Sequence, residues 1–224
     1  MSYFSSAVGP EPRGGGVFCA YPSVGSALGA SKHAGGRSAG APAGPGPLAL
    51  TGTPGTGKSS VAALLRPWYS VVEVGEFARR AGLGSGVRRA VVVDLARLRQ
   101  RFRRLQRERP QDVYVGHLAH LLPVRDVVVL RCHPLELDRR LRRARRGRAR
   151  EREANVGSEA IDLVLREAIG PGRRVWEVDT TGRSPRQVAS EVRRRLRRRG
   201  PSSYGHVRWL ADPTVTDYLL DAGP

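Results

Sequence analysis

Gly52-Thr53-Pro54-Gly55-Thr56-Gly57-Lys58-Ser59 places glycines, a lysine and a hydroxyl at a spacing suited to holding a chain of phosphates. Glycines let the backbone curl so that successive N–H groups point inward as an anion nest. A helix starting at the end of the turn adds its free N-terminal amides and the positive end of its dipole. Lys58 brings a compact, mobile charge for the β- and γ-phosphates, and Ser59 a hydroxyl for Mg²⁺. The pattern is a complete P-loop. Its lysine stands out. Of 39 basic residues only Lys32 and Lys58 are lysines, and Lys32 falls in a stretch of low complexity. Arginine is a planar fork, whereas an ammonium is a point charge on a flexible stem. A fork at position 58 fills the nest that phosphate must occupy.

The elements that must position this loop are legible on either side of it. Leu48-Ala49-Leu50 reads as a short apolar strand, and Ser59 to Arg66 as a helix stopped by Pro67. Val71 to Val74 reads as a second strand, Glu76 to Ala81 as a helix, and 82–86 as a loop. Val91 to Val93 is a short extended run. Asp94 then takes an N-cap position for a helix with Leu95, Leu98, Phe102 and Leu105 on one face. Asp112 to Val115 and Val127 to Leu130 read as strands, Leu135 to about Ala168 as helix in one or two pieces, Val175 to Val178 as the last strand, and Val188 to Arg199 as the last helix. Strands alternating with helices imply an α/β fold: a parallel five-stranded sheet, of the kind seen in P-loop nucleoside monophosphate kinases, with helices on both faces. Residues 1–46, rich in Gly, Pro, Ser and Ala, are expected to be a disordered leader. Residues 47–199 then form the domain and 200–224 a C-terminal tail.

The chain of 224 residues carries a formal charge of +19. This favours a polyanionic partner such as RNA, or phosphate ligands. Cys19 and Cys132 lie too far apart in context for a disulfide framework, which fits a reducing cytoplasm. No apolar run approaches the roughly 18–20 residues of a membrane span, and the N-terminus lacks the pattern of a signal peptide. No His/Cys spacing suggests zinc.

A P-loop domain of this length suits a small kinase, and no Asn-Lys-x-Asp guanine-reading motif is present. Such an enzyme needs a clamp for the acceptor phosphate and a basic lid over the donor. Glu73 to Arg80, with the Arg79–Arg80 pair, has the position of the clamp. Arg139 to Arg150, with eight arginines in twelve residues, has the position of the lid. His117, just after a strand, reads either as a satisfied structural histidine or as a group that positions the attacking water or phosphate. His120, His133 and His206 read as structural.

Six stretches together resemble one family: Val74-Gly75-Glu76-Phe77-Ala78-Arg79, Gly116-His117-Leu118-Ala119-His120, Val129-Leu130-Arg131-Cys132-His133-Pro134, Arg146-Gly147, Asn155 to Ala168 with Glu159, Asp162 and Glu167, and Glu177-Val178-Asp179-Thr180-Thr181-Gly182. The chain from about 47 to 220 is similar to the archaeal and eukaryotic adenylate kinases of the ribosome-assembly type (adenylate kinase isoenzyme 6-like). The resemblance implies transfer from ATP to AMP with Mg²⁺, slow ATPase activity, a role in maturing the small ribosomal subunit, and contact with a small-subunit ribosomal protein and pre-ribosomal RNA. A monomer is expected. By position, Gly55, Thr56, Gly57, Lys58, Ser59 and Ser60 would hold the ATP phosphates, with Arg146 closing from a lid over about 139–155. Arg79 and Arg131 would meet AMP within and beside an acceptor segment at about 73–94, and Lys58, Arg146 and His117 would form the catalytic set. The chain departs from the family pattern in three places. Val115 stands where the family carries an acid, Arg148 stands where the lid carries an aromatic, and the stretch between Arg79 and Asp94 is short.

Overall fold

The computed structural model describes residues 16–20, 46–87, 90–144 and 148–221. The central sheet has five strands: β2 (Leu48–Gly52), β3 (Val71–Glu73), β6 (Val113–Val115), β7 (Asp126–Arg131) and β8 (Arg174–Asp179). Their order is β3-β6-β2-β7-β8, and every pair is parallel. The P-loop strand β2 is therefore central, flanked by the two strands whose C-terminal ends open beside the loop. A parallel sheet must be covered on both faces, and its inner strands read as continuous apolar runs for that reason. β2, β6 and β7 are buried throughout.

Alternate residues of the strands divide the core in two. Leu48, Leu50, Val113, Val115, Val128 and Leu130 pack under α1 (Lys58–Leu65) and α7 (Pro185–Arg198). Ala49, Tyr114, Val127, Val129 and Val175 pack on the other face against α2 (Val74–Arg80), α3 (Leu95–Glu108) and α6 (Leu163–Ala168). At eight residues α1 is shorter than the roughly 12–15 that an isolated helix needs to be marginally stable in water. Burial of Val61, Ala62 and Leu65 holds it instead. A fully buried Val or Leu contributes about 1.5–3 kcal/mol.

Most expected elements are present at the expected places. Asp94 caps α3, accepting from the Arg97 amide at 3.0 Å, and Leu98 and Phe102 are buried. The structure differs in three respects. The region 135–168 forms three helices: α4 (Pro134–Arg143), α5 (Ala149–Ala160) and α6. Asp162, the residue before α6, lies in the left-handed region at φ 60°, which breaks the helical run. Second, the loop expected at 82–86 includes β4 (Gly84–Val87), paired antiparallel with β5 (Ala90–Asp94). Third, β1 (Gly16–Ala20), within the leader read as disordered, pairs antiparallel with β5 to complete a separate three-stranded sheet. Pairing with a partner distant in sequence leaves no signature in a five-residue segment taken alone. The rest of the expected leader, to residue 45, lies outside the described residues.

The segment expected as a tail is joined to the domain. Ser203 bridges to β8, its amide donating to Val175 O at 2.9 Å and its carbonyl accepting from the Glu177 amide at 2.9 Å. The Trp176 indole donates to Pro201 O at 2.7 Å. The last described element is α8 (Pro213–Asp221).

Candidate active site

The turn after β2 has the form its glycines require. Gly52 has φ 140°, and a Cβ there would lie 2.3 Å from the Leu130 carbonyl oxygen. Gly55 has φ 97°, and a Cβ there would lie 2.7 Å from a Leu137 methyl carbon. The neighbouring strand and α4 thus press against the loop from outside, and only glycine fits at either place. Lys58 opens α1 and folds over the loop, donating to Gly52 O at 2.7 Å and Thr53 O at 2.8 Å. Thr56 Oγ1 donates to Thr53 O at 2.9 Å. Ser59 and Ser60 are exposed on the first turn. The loop is a concave set of backbone groups capped by one ammonium, with a hydroxyl at its rim. It suits a polyphosphate, whose anionic oxygens accept from amides and an alkylammonium, with the Ser59 hydroxyl oxygen as a ligand for an accompanying hard cation.

His117 and His120 stand at the end of β6 beside this loop. Thr51 Oγ1, at the end of β2, lies 3.1 Å from His117 O and 2.9 Å from His120 Nδ1. His120 Nε2 lies 2.9 Å from Glu167 Oε2, and His120 is fully buried, the structural role expected of it. His117 Nδ1 is 3.5 Å from Gly52 O, so its ring borders the loop. Burial first, then the charge of Lys58, brings the His117 pKa down to about 4. Burial and then the nearby Arg173 bring that of His120 down to about 4. Both rings are neutral at neutral pH, and a neutral imidazole at position 117 can orient a phosphate or water without adding charge.

A pH dependence follows. Below about pH 6.5 the unfolded chain binds protons that these two folded histidines refuse, so stability falls as pH drops from about 6.5 towards 4 and is insensitive to them above that window. We expect the urea midpoint to fall between pH 7 and pH 5, and His120→Asn to flatten the slope. An equal slope in this variant would show that His120 is not buried neutral.

Arg131, expected to meet AMP, is used differently. It lies at the end of β7 and is 1 % exposed. Its Nε donates to Glu159 Oε1 at 2.7 Å, one terminal nitrogen donates to Glu177 Oε1 at 2.5 Å, and the other donates to Asp162 Oδ1 and to Glu159 O at 3.0 Å. Burial opposes the charge, but Glu159 and Asp162 more than offset it and hold the guanidinium above its ordinary pKa. With these donors engaged inside the protein, a substrate contact by Arg131 has no support in this arrangement. The cluster reaches the P-loop all the same, since Thr53 Oγ1 donates to Glu159 Oε2. Glu159 also accepts from the Cys132 amide at 3.1 Å and the Trp209 indole at 3.3 Å. Burial pushes the Cys132 thiol up to about 12, so it is no nucleophile.

Thr53 and Glu159 are site residues that the motif reading passed over. An arginine ending an otherwise apolar strand is the one available signal, because a buried charge requires partners elsewhere. Arg79 and Arg80 are exposed at the end of α2, 4.0 Å and 2.5 Å from Glu76. Arg146 lies outside the described residues, as do its neighbours Arg145 and Gly147. Of the arginines in the stretch expected as a lid, Arg140 is bound to Thr180 O at 2.9 Å and Arg142 to Asp138 at 2.7 Å.

Val115 is fully buried in the apolar cluster that also holds Leu50 and Val61. A carboxylate there would meet methyl groups. We expect Val115→Asp to lose about 2 kcal/mol of stability in urea denaturation. An unchanged midpoint would mean that the side chain reaches solvent at the mouth of the loop.

Strand, glycine loop and helix in register, on a five-stranded parallel sheet, define a P-loop nucleotide-binding protein. The AAA domain family matches residues 48–162. A "Putative adenylate kinase" of Thermococcus onnurineus is 36 % identical over 77 % of this chain and 97 % of its own length. One of the same name from Pyrococcus abyssi is 40 % identical over 65 % of this chain and 81 % of its own. Among solved structures, a sugar kinase from Janibacter sp. overlays 66 % of this chain and 91 % of that one, at 15 % identity and a TM-score of 0.46. The chain belongs to the P-loop kinase family of these archaeal relatives. No described helix is long and apolar enough to cross a membrane.

Proposed function

We propose that the protein is an adenylate kinase that transfers the γ-phosphoryl group of ATP to AMP and releases two ADP. An AMP phosphate oxygen forms the new bond to the γ-phosphorus, and the bond from that phosphorus to the β,γ-bridging oxygen breaks, its electron pair leaving with ADP. The observation that carries this reading is the Lys58-capped loop, in a chain whose relatives bear the adenylate kinase name. The loop amides and Lys58 neutralise the charge that develops on the transferred group. Ser59 would hold the Mg²⁺ that comes with ATP, and the ion would supply further neutralisation of phosphate charge. Arg79 on α2 meets AMP, Arg146 closes over ATP, and neutral His117 orients the reacting phosphate. A coupled assay across the nucleoside monophosphates, run beside ATP hydrolysis without acceptor, tests the reading. ADP formation that requires AMP supports it. Equal rates without an acceptor, or a clear preference for another monophosphate, reject it.

A second reading is favoured by the charge. α3 exposes Arg97, Arg101, Arg103, Arg104 and Arg107, and α7 exposes Arg194, Arg197 and Arg198. Surfaces of this kind suit an ATP-switched cytoplasmic factor that binds a small-subunit ribosomal protein and pre-ribosomal RNA, with slow ATPase activity and little kinase turnover. RNA affinity that falls steeply with salt and responds to ATP supports it.

A further inference from the structure

A P-loop site that uses Mg²⁺ holds the cation by the loop hydroxyl and by a carboxylate on a nearby strand end. Val115 leaves the strand beside β2 without one. The parallel registers place a different acid at the same level. Leu50 is opposite Val115, and Val115 is opposite Glu73, the last residue of β3. Register partners in a sheet point to the same face. Val71, two residues earlier, packs into the cluster under α1, as Val115 and Leu50 do. Glu73 therefore points to the α1 side, one strand further from the loop than Val115.

The other strand-end acids of the described residues are occupied or lie elsewhere. Asp112 precedes β6 and Asp126 begins β7, both at the opposite edge of the sheet. Glu177 is bound by Arg131, and Asp179 by Thr181. Glu159 is held by Arg131 and Thr53. Glu73 has a 3.3 Å ion pair with Arg66 at the far end of α1, and its side chain keeps 29 % exposure. It also feels Lys58. Burial raises its pKa, with the Glu76 carboxylate adding to the rise, and Arg66 and Lys58 offset only part of it.

We propose that Glu73 is the positioning acid of the metal site, acting on the cation's water shell in place of the absent acid at 115. A glutamate carries one more methylene than an aspartate, which suits a reach from the outer strand. This inference rests on the reading of the loop as a Mg·ATP site.

The test measures metal and nucleotide separately in the full chain. Free Mn²⁺ is followed by its electron paramagnetic resonance signal in the presence of protein and a non-hydrolysable ATP analogue, and analogue binding is measured again in EDTA. In Glu73→Gln we expect Mn²⁺ affinity in the ternary complex to fall about tenfold, the lower end of what a partner just outside the ligand shell contributes. Metal-free analogue should bind as well as to wild type or slightly better, because a negative charge near the phosphates has gone. Glu73→Asp, which keeps the charge but shortens the reach, should fall between. Thermal midpoints within a few degrees of wild type accompany this result. Wild-type Mn²⁺ affinity in both variants overturns the proposal, as does a parallel loss of metal-free binding, which marks a purely structural Arg66 partner. A wild-type protein that binds no analogue in either condition overturns the kinase reading itself and this inference with it.

Discussion

Lys58→Ala abolishes phosphoryl transfer and leaves the protein folded. The ammonium donates to two loop carbonyls, at 2.7 and 2.8 Å, so its removal costs the fold something. Both contacts are at a half-buried site, and Thr53 O keeps its bonds from the Thr56 amide and hydroxyl when the ammonium is gone. We expect a loss of about 1–2 kcal/mol, a shift of a few degrees in Tm. The effect on turnover is far larger. A preorganised charge aimed at the transferring group is typically worth about 10²–10³ in rate. Lys58→Arg keeps the charge and tests the shape argument: the fork has no room under the turn that Leu130 and Leu137 press from outside, so it should restore little. Steady-state kinetics beside thermal unfolding check both variants. Turnover above about a tenth of wild type in Lys58→Ala would remove the lysine from the mechanism.

Arg131→Met unfolds the protein at much lower denaturant than wild type. The substitution keeps the unbranched stem of the side chain and removes the guanidinium with its charge. Glu159 and Glu177, each 2 % exposed, are left without their cation, as is Asp162. Breaking a buried ion pair from one side costs about 3–5 kcal/mol, because the remaining charge can neither stay ionised cheaply nor find water. Here more than one carboxylate loses its partner, so the upper end of that range is expected. The consequence spreads beyond β7. Glu159 also holds Thr53 of the P-loop, so any nucleotide binding that survives should weaken as well. Urea denaturation gives the stability, and fluorescent-nucleotide binding the second effect. An unchanged midpoint with a raised KM for AMP would reverse the assignment and make Arg131 a substrate contact.

What could be read ahead of the structure follows a physical line. The P-loop was legible because its chemistry is local: consecutive backbone groups, one ammonium and one hydroxyl come from a single turn. The strands were legible because inner strands of a parallel sheet are apolar on both faces, as with Val127 to Leu130. Arg131 was misplaced because its partners are 28, 31 and 46 residues away in sequence, and nothing near it says whether it faces ligand or core. Glu73 was read as the first residue of a clamp. Its relation to Val115 exists only in the pairing of β3 with β6, two strands joined through the whole of α2, β4, β5 and α3. The strand at Gly16–Ala20 has the same cause, since its partner lies some seventy residues on.

The stitching of Ser203 to β8 bears on how copies of this protein behave in company. β8 is an outer strand, and an outer strand offers a row of unmet amides and carbonyls on which another chain can build. Here the Val175 carbonyl and the Glu177 amide are taken by Ser203, the Val175 amide by Ser202 Oγ, and the Glu177 carboxylate is occupied by the Gly205 and Val207 amides. The opposite margin, β3, is three residues long and ends in a charged glutamate. Neither margin offers the long apolar template on which sheets grow from molecule to molecule. The few residues after the last long helix thus act as a selvedge, finishing the sheet so that crowding does not turn it into a seed for aggregation.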